Sequence, residues 1–541
     1  MRLLLLFVAG VSVVSAQGIW DRRAPYPVEV TEVSSAVLNG KIYSICGLLR
    51  DGSRDSVLRI YDPVRDEWSA GARVPIAEGG DHCNFAAARG RLYVLGAIRT
   101  GTNFVDGATY EYNLETDQWA VVGRMAVPRG ASGVAVIGDR IYVVGGLDPI
   151  RPLAAAEVFD AASRTWSRLP DMPTARDHLT AQAIGGKVYA IAGRNGATNL
   201  RANEEFDPAT NNWRVRAGIV TARGGLGSGT LRNRIQVFGG EGESGRPEQT
   251  FEQHEEYDPA TDTWGTLAIM RVPRHGLYGA TYQGRIFTPG GGPRAGADFS
   301  NAHDAFLLPL LEAPAIAAGS VVNAASFRPE VSGGAIVTLY GSNLSQGEMQ
   351  AARFPIGTRL NTTEVRVNGT LVPLLYVGPN QINFQLPFSL VPGPLSITVS
   401  HAGQTSAVAS GPDAVSASPA VFQLDANGRG AITIATTGEV RAARRGESIV
   451  IYGTGMGRVD FVPRLGEAAP ASPLIRTVET PVVRISGVEA AVSFSGLTPG
   501  SLGLYQINVQ VPANAPVGAA VPVVVRAGGR DSNTVTMAVV E

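Results

Sequence analysis

Four arginines recur in one register: Arg129, Arg176, Arg223 and Arg274 each stand 13 residues before a position in the next hydrophobic strand, namely Tyr142, Tyr189, Gln236 and Phe287. His178 lies two residues after Arg176, His82 holds the equivalent place in an earlier segment, and His275 follows Arg274 directly. A crown of guanidinium and imidazole groups around one opening would suit a carboxylate, a sulfated or uronic sugar, or an acidic peptide, through bidentate hydrogen bonds. The same spacing equally fits arginines that brace neighbouring loops through backbone carbonyls.

Other chemistry is sparse. Asp81-His82-Cys83 puts three metal-ligand types side by side, but successive side chains of an extended strand point to opposite faces, so no metal site is expected there. There is no Gly-x-Ser-x-Gly, His-Glu-x-x-His or P-loop pattern, and Gly290-Gly291-Gly292 reads as structural punctuation. No catalytic residue and no cofactor are assigned. Cys46 and Cys83 are the sole cysteines, which excludes a disulfide scaffold and leaves either one bridge or two buried thiols. Asn343, Asn361 and Asn368 open glycosylation sequons, read as chance matches.

The elements that position these residues are repeats. An aromatic residue followed by Asp or Asn, with Trp six positions later, occurs five times: Tyr61-Asp62 to Trp68, Tyr112-Asn113 to Trp119, Phe159-Asp160 to Trp166, Phe206-Asp207 to Trp213, and Tyr257-Asp258 to Trp264. Upstream of each lies a hydrophobic strand ending in small residues, and a sixth such strand, Ile286-Phe287 to Gly290-Gly291, has no Trp after it. A period near 50 residues holds four short strands and their turns. Trp20, near the N-terminus, is then expected to supply the missing fourth strand of the last copy and to close the ring without free edges. The recurring Glu and Asp residues read as turn and capping groups.

Length and composition agree. A chain of 541 residues needs two to four domains, its apolar runs are short and broken by 65 glycines and 34 prolines, and its net charge of -1 points to neither nucleic acid nor an anionic membrane. Arg2, the apolar run Leu3 to Val14 and the small residues Val14-Ser15-Ala16 read as a cleavable export signal over 1–16, too short to span a membrane. No transmembrane segment is expected. The mature protein is expected to be a monomer, secreted or periplasmic, with cell-surface association as a further possibility.

The small-residue pairs, the Glu-x-aromatic-Asp segments (Glu157 to Asp160, Glu204 to Asp207, Glu255 to Asp258) and the tryptophans resemble the kelch repeat. That resemblance implies a six-bladed β-propeller over 17–311. Beyond Pro314 a longer duplication begins: Ile336 to Leu344 matches Ile449 to Met456, and Gln381-Ile-Asn to Pro387 matches Gln506-Ile-Asn to Pro512. These segments resemble IPT/TIG immunoglobulin-like domains, in particular a Solibacter-type C-terminal domain of exported bacterial proteins, and imply two β-sandwiches over 312–415 and 416–541. The fold class is therefore all-β.

Two functional readings follow. The first is a non-catalytic recognition protein binding a carbohydrate or protein ligand, the crown favouring an anionic one, with the sandwiches as spacer or attachment modules. The other is an enzyme acting on sugars, similar to sialic acid mutarotases or, less closely, to copper-radical oxidases. The oxidase pattern needs two histidines, one from the C-terminal domain, and His401 is the sole histidine there.

Overall fold

The computed structural model describes residues 18–99, 105–242 and 249–541, so the expected export segment lies outside the described residues. All regular secondary structure there is β-strand, in two compact units that divide between Pro309 and Leu310.

The first unit holds six four-stranded antiparallel sheets. Each runs outward from an innermost strand: Ser34–Leu38, Phe85–Ala88, Gly133–Ile137, Thr180–Ile184, Gly227–Leu231 and Ala280–Tyr282. These six strands neighbour one another in a closed cycle and surround a cavity of about 340 Å³ lined by Ser35, Ala87, Val136, Gln182 and Thr230 among others. The sheets are apolar on both faces, so each buries its faces only against its neighbours.

Each of these five Trp residues sits directly across from the aromatic residue seven positions before it, as Tyr61↔Trp68, Tyr112↔Trp119, Phe159↔Trp166, Phe206↔Trp213 and Tyr257↔Trp264. The sixth sheet repeats this pair with residues from opposite ends of the propeller. Ile19–Arg22 lies antiparallel to His303–Leu307, and Trp20 faces Phe306. The indole N–H groups link sheet to sheet around the ring: Trp68 donates to Ala24 O (3.1 Å), Trp119 to Ala72 O (3.1 Å), Trp213 to Pro170 O (2.8 Å) and Trp264 to Ala217 O (2.8 Å). Trp166 uses Thr109 Oγ1 instead (2.9 Å), and Trp20 completes the series on Ala268 O (2.9 Å). Cys46, just after the second strand of the first blade, is bonded to Cys83, which precedes the innermost strand of the second.

The second unit is two β-sandwiches that repeat one register. Ile336–Ser342 pairs with Gln381–Gln385 through Tyr340↔Gln381, and Ser448–Thr454 pairs with Tyr505–Gln510 through Tyr452↔Gln506. The duplicated Tyr-Gly and Gln-Ile-Asn segments are thus adjacent central strands. Alternate residues of each pair, such as Val337, Leu339, Ile382 and Phe384 in one and Ile449, Ile451, Ile507 and Val509 in the other, fill the two cores. Asn323 and Ser332 meet Ser418, and the Ile336 N–H donates to Thr454 Oγ1 (2.9 Å), which joins the sandwiches through buried polar groups.

Trp20→Ala removes a buried aromatic and the closing link, and should destabilise the protein by about 3–5 kcal/mol. Urea unfolding followed by fluorescence and circular dichroism measures it; a stability equal to wild type would mean that the strand does not close the ring. Reducing the 37-residue Cys46–Cys83 loop should lower stability by about 2–4 kcal/mol, read from unfolding with and without dithiothreitol.

Candidate functional site

One position in every blade determines the geometry of the axis. It lies just before the innermost strand and is occupied in turn by Glu32, His82, Ala131, His178, Gly225 and Gly276. All six have left-handed backbone, with φ of 58°, 50°, 53°, 50°, 65° and 60°. This conformation turns each peptide toward the next blade and chains them by hydrogen bonds. His82 N–H donates to Glu32 O (3.4 Å), Ala131 to His82 (3.0 Å), His178 to Ala131 (2.9 Å), Gly225 to His178 (3.0 Å) and Gly276 to Gly225 (2.8 Å). The Val33 N–H closes the circle on Gly276 O (3.2 Å). A left-handed residue other than glycine is held at a steric cost of about 1–2 kcal/mol, which the ring of bonds must offset. Ala131, with no chemistry to offer, shows that the ring itself demands this conformation.

Two further positions flank the ring. The residue before it is Thr31, Asp81, Gly130, Asp177, Gly224 or His275. The residue after each small pair is Leu48, Ile98, Leu147, Arg194, Glu241 or Gly292, and short bridges such as Asp177↔Arg194 and Gly224↔Glu241 hold these two positions together. Charged side chains replace the apolar or small ones in only some blades, and they converge.

His82 Nε2 lies 3.0 Å from Glu32 Oε2 and 2.9 Å from His178 Nε2. Each of these histidines has its Nδ1 on the preceding aspartate, His82 on Asp81 (2.6 Å) and His178 on Asp177. Arg194 reaches His178 Nε2 (3.0 Å), Asp177 (3.4 Å) and Glu241 (2.6 Å), while Arg54 pairs with Asp81 (2.6 Å). His275 Nδ1 stands between Glu32 (3.4 Å) and Glu241 (3.6 Å). Most of this cluster is buried; the Arg194 and His82 side chains keep 29% and 17% of their surface, which opens it to the loop side.

The electrostatics follow from the packing. Burial would raise the Glu32 carboxyl, but His82 and His275 hold it well below the usual carboxylate range. For His82 burial opposes the charge, yet Glu32 and Asp81 outweigh it and push the imidazole up to about 10. His178 is lowered, by burial first and then by the Arg194 charge, and His275 is raised because Glu32 overcomes burial. The site thus sets unlike imidazoles side by side.

His82, His178 and His275 are therefore brought together as the sequence suggested, but the four arginines are not. The guanidiniums of Arg129, Arg176, Arg223 and Arg274 are wholly buried inside the blades, so the expected crown is not presented to a ligand. Arg129 donates to Gly145 O (2.8 Å), Val143 O (2.9 Å) and Val127 O (2.7 Å) and pairs with Glu157. Arg176 holds Ala190 O (3.0 Å) and Glu204 (2.6 Å), Arg223 holds Val237 O (3.3 Å) and Glu255 (3.3 Å), and Arg274 holds Thr288 O (3.0 Å) and Asp304 (2.7 Å). The recurring glutamates are thus arginine partners rather than caps. The Asp residues after the aromatics do cap turns: Asp160 accepts from Ala162 N–H (2.9 Å) and Asp207 from Ala209 N–H (2.9 Å). Asp81 and His82 also meet, contrary to the extended-strand argument, because His82 is left-handed rather than extended. Glu32, Asp177, Arg194 and Glu241 were not singled out from sequence; aligning Val30-Thr31-Glu32 with Arg176-Asp177-His178, and Gly193-Arg194 with Gly146-Leu147, would have exposed them.

With this geometry in place, comparison with known proteins identifies the class. Residues 82–292 match the KLHDC2/KLHL20/DRC7 Kelch-repeats domain and residues 321–416 match the IPT/TIG domain, so the chain carries a kelch-repeat domain followed by an IPT/TIG domain. It is similar to Kelch-like protein terF of Aspergillus terreus, 29% identical over 298 residues that cover 52% of this chain and 64% of that protein. Kelch-like protein 25 of Xenopus tropicalis is 25% identical over 154 residues, 28% of this chain and 25% of its own length. The chain thus spans less than two thirds of either relative. Among solved structures it is similar to YjhT, at 17% identity and a TM-score of 0.46, over 52% of this chain and 96% of that one.

Arg176→Ala leaves Glu204 as an unpaired buried charge and should cost about 3–5 kcal/mol. Chemical denaturation measures it; undiminished stability would return Arg176 to the list of ligand contacts.

Proposed function

We propose that this is an exported, non-catalytic recognition protein whose kelch propeller binds a carbohydrate at the axial cluster, with the immunoglobulin-like domains as spacer or surface-attachment modules. The observation that carries this reading is the convergence of the residues in which the blades differ. A scaffold built of six near-copies departs from its repeat where Glu32, His82, His178, Arg194, Glu241 and His275 meet, on the face where the loops after the second strands emerge. Ligand sites favour such variable positions on a rigid frame.

A carbohydrate suits the chemistry better than a protein. The cluster offers donors and acceptors of both signs at short range, which matches hydroxyl groups, whereas a protein interface needs an apolar centre. Among the described residues of the loops on this face, the exposed large apolar side chains Ile150 (87%), Val220 (51%) and Ile269 (53%) come from separate loops. With the four arginines withdrawn into the blades, a requirement for an anionic ligand loses its support. Export is supported by the sequence of residues 1–16, and the Cys46–Cys83 bond suits an oxidising compartment.

The full mature chain, free of affinity tags, should bind a restricted set of glycans on an array, and Arg194→Ala should weaken those hits at least tenfold in protein whose circular dichroism shows the fold retained. Absence of any glycan signal, or hits indifferent to Arg194, would overturn the carbohydrate reading; retention of a secreted protein partner instead would favour a protein ligand.

A further inference from the structure

Three side chains of the axial ring point their donor atoms at one another. Glu32, His82 and His178 occupy the same position in the first, second and fourth blades, and one donor atom from each lies within 4.8 Å of those of the other two. The equivalent positions of the other blades hold Ala131, Gly225 and Gly276, which bring no competing side chain beyond Cβ. We propose that this triad is a binding site for one divalent transition-metal ion of the zinc class, held by two imidazoles and a carboxylate.

Four observations converge on it. The first is the donor set: two imidazoles and one carboxylate suit borderline ions such as Zn²⁺ or Co²⁺ rather than Ca²⁺ or Mg²⁺, which prefer oxygen alone. The second is spacing. Ligand atoms about 2.0–2.1 Å from a tetrahedral ion stand about 3.3 Å apart. Two of the three separations, 2.9 and 3.0 Å, need an opening of only a few tenths of an ångström, and the third, from Glu32 to His178, lies within 4.8 Å.

The third is the outer layer. Asp81 and Asp177 each take the Nδ1 of the histidine that follows, at 2.6 Å for Asp81. A carboxylate behind an imidazole fixes the Nδ1–H tautomer, aims the Nε2 lone pair forward and strengthens it as a ligand. Two histidines of the same repeat position carry this arrangement, and their Nε2 atoms face one another.

The fourth is charge. Glu32, Asp81, Asp177 and Glu241 face two guanidiniums, Arg54 and Arg194, so in the metal-bound form, where the imidazoles are deprotonated, the protein groups sum to a formal charge of two negatives. One divalent cation balances it. The competing group is Arg194, whose Nη2 lies 3.0 Å from His178 Nε2. It is also the most exposed member of the cluster, and Asp177 and Glu241 hold it independently of His178. Three protein donors leave a coordination position for water or a ligand oxygen. The expectation that no metal binds near Asp81-His82-Cys83 examined neighbours in sequence, and the partners of His82 come from other blades.

The test uses the tag-free full mature chain, stripped with chelator and titrated with Zn²⁺ by calorimetry and with Co²⁺ by visible absorption. One equivalent per chain is expected, with Co²⁺ bands of a four- or five-coordinate nitrogen and oxygen site and a rise in melting temperature on adding Zn²⁺. His178→Ala and Glu32→Gln should each weaken binding at least a hundredfold, and Asp177→Asn, which leaves the donors in place, by about 10–100-fold. Should His178→Ala fold poorly, Asp177→Asn and the metal-dependent melting shift of Glu32→Gln carry the decision. Binding below one equivalent in wild type, or Zn²⁺ affinity unchanged in folded variants, would overturn the site. Glycan binding that survives chelation would leave the carbohydrate reading intact and separate the two proposals.

Discussion

The circle of backbone hydrogen bonds around the axis is the constraint on which the rest of the propeller depends. Each blade gives one N–H and one carbonyl to its neighbours, both through one left-handed residue in five blades and through Val33 and the left-handed Glu32 in the first. A single bond of this kind contributes on the order of 1 kcal/mol, but a closed circle cannot be satisfied five-sixths of the way. The sixth blade must therefore be as complete as the others, and the strand that completes it comes from the other end of the propeller. Binding groups at the axis are a consequence of the same circle, since side chains at the ring position are aimed by the backbone geometry that makes it.

Inside the blades a second device recurs, the buried Arg with its Glu or Asp. Where Arg129, Arg176, Arg223 and Arg274 stand, Glu157, Glu204, Glu255 and Asp304 face them. In the first two blades Val30 and Gly80 take the arginine's place, and Arg59 and Tyr110 take the acid's. Both members are lost together, as expected when a charge buried alone would be far more costly than either the pair or neither. In the first two blades the Cys46–Cys83 bond ties the neighbouring segments covalently instead.

Much of the fold was legible because repetition amplifies weak signals: five aromatic-Trp pairs identify the sixth even when its members lie nearly the whole propeller apart. The sandwich duplication was legible for the same reason, and Tyr340↔Gln381 and Tyr452↔Gln506 coincide in register. The arginines were misplaced because position along a strand does not say on which side of the strand a side chain lies. The joint loss of Arg and acid in two blades was the sequence signal that they are internal. The axial cluster was half legible. His82 and His178 could be aligned although 96 residues separate them, but only ring closure brings Glu32 beside them. No local pattern records a contact that the whole circle creates.

The pairing of Ile19 with Leu307 also sets an order of events. A chain emerging N-terminus first presents its closing strand before any of the sheets exist, and that strand stays without its partner until the last blade is made. Five blades can stack in the meantime, but the sheet at the growing end has an unpaired edge and the axial circle is open. Such an edge is the part of a β-protein most prone to pair with another molecule. The axial site, which needs Glu32 beside His82 and His178, is complete only when the two ends of the propeller have met.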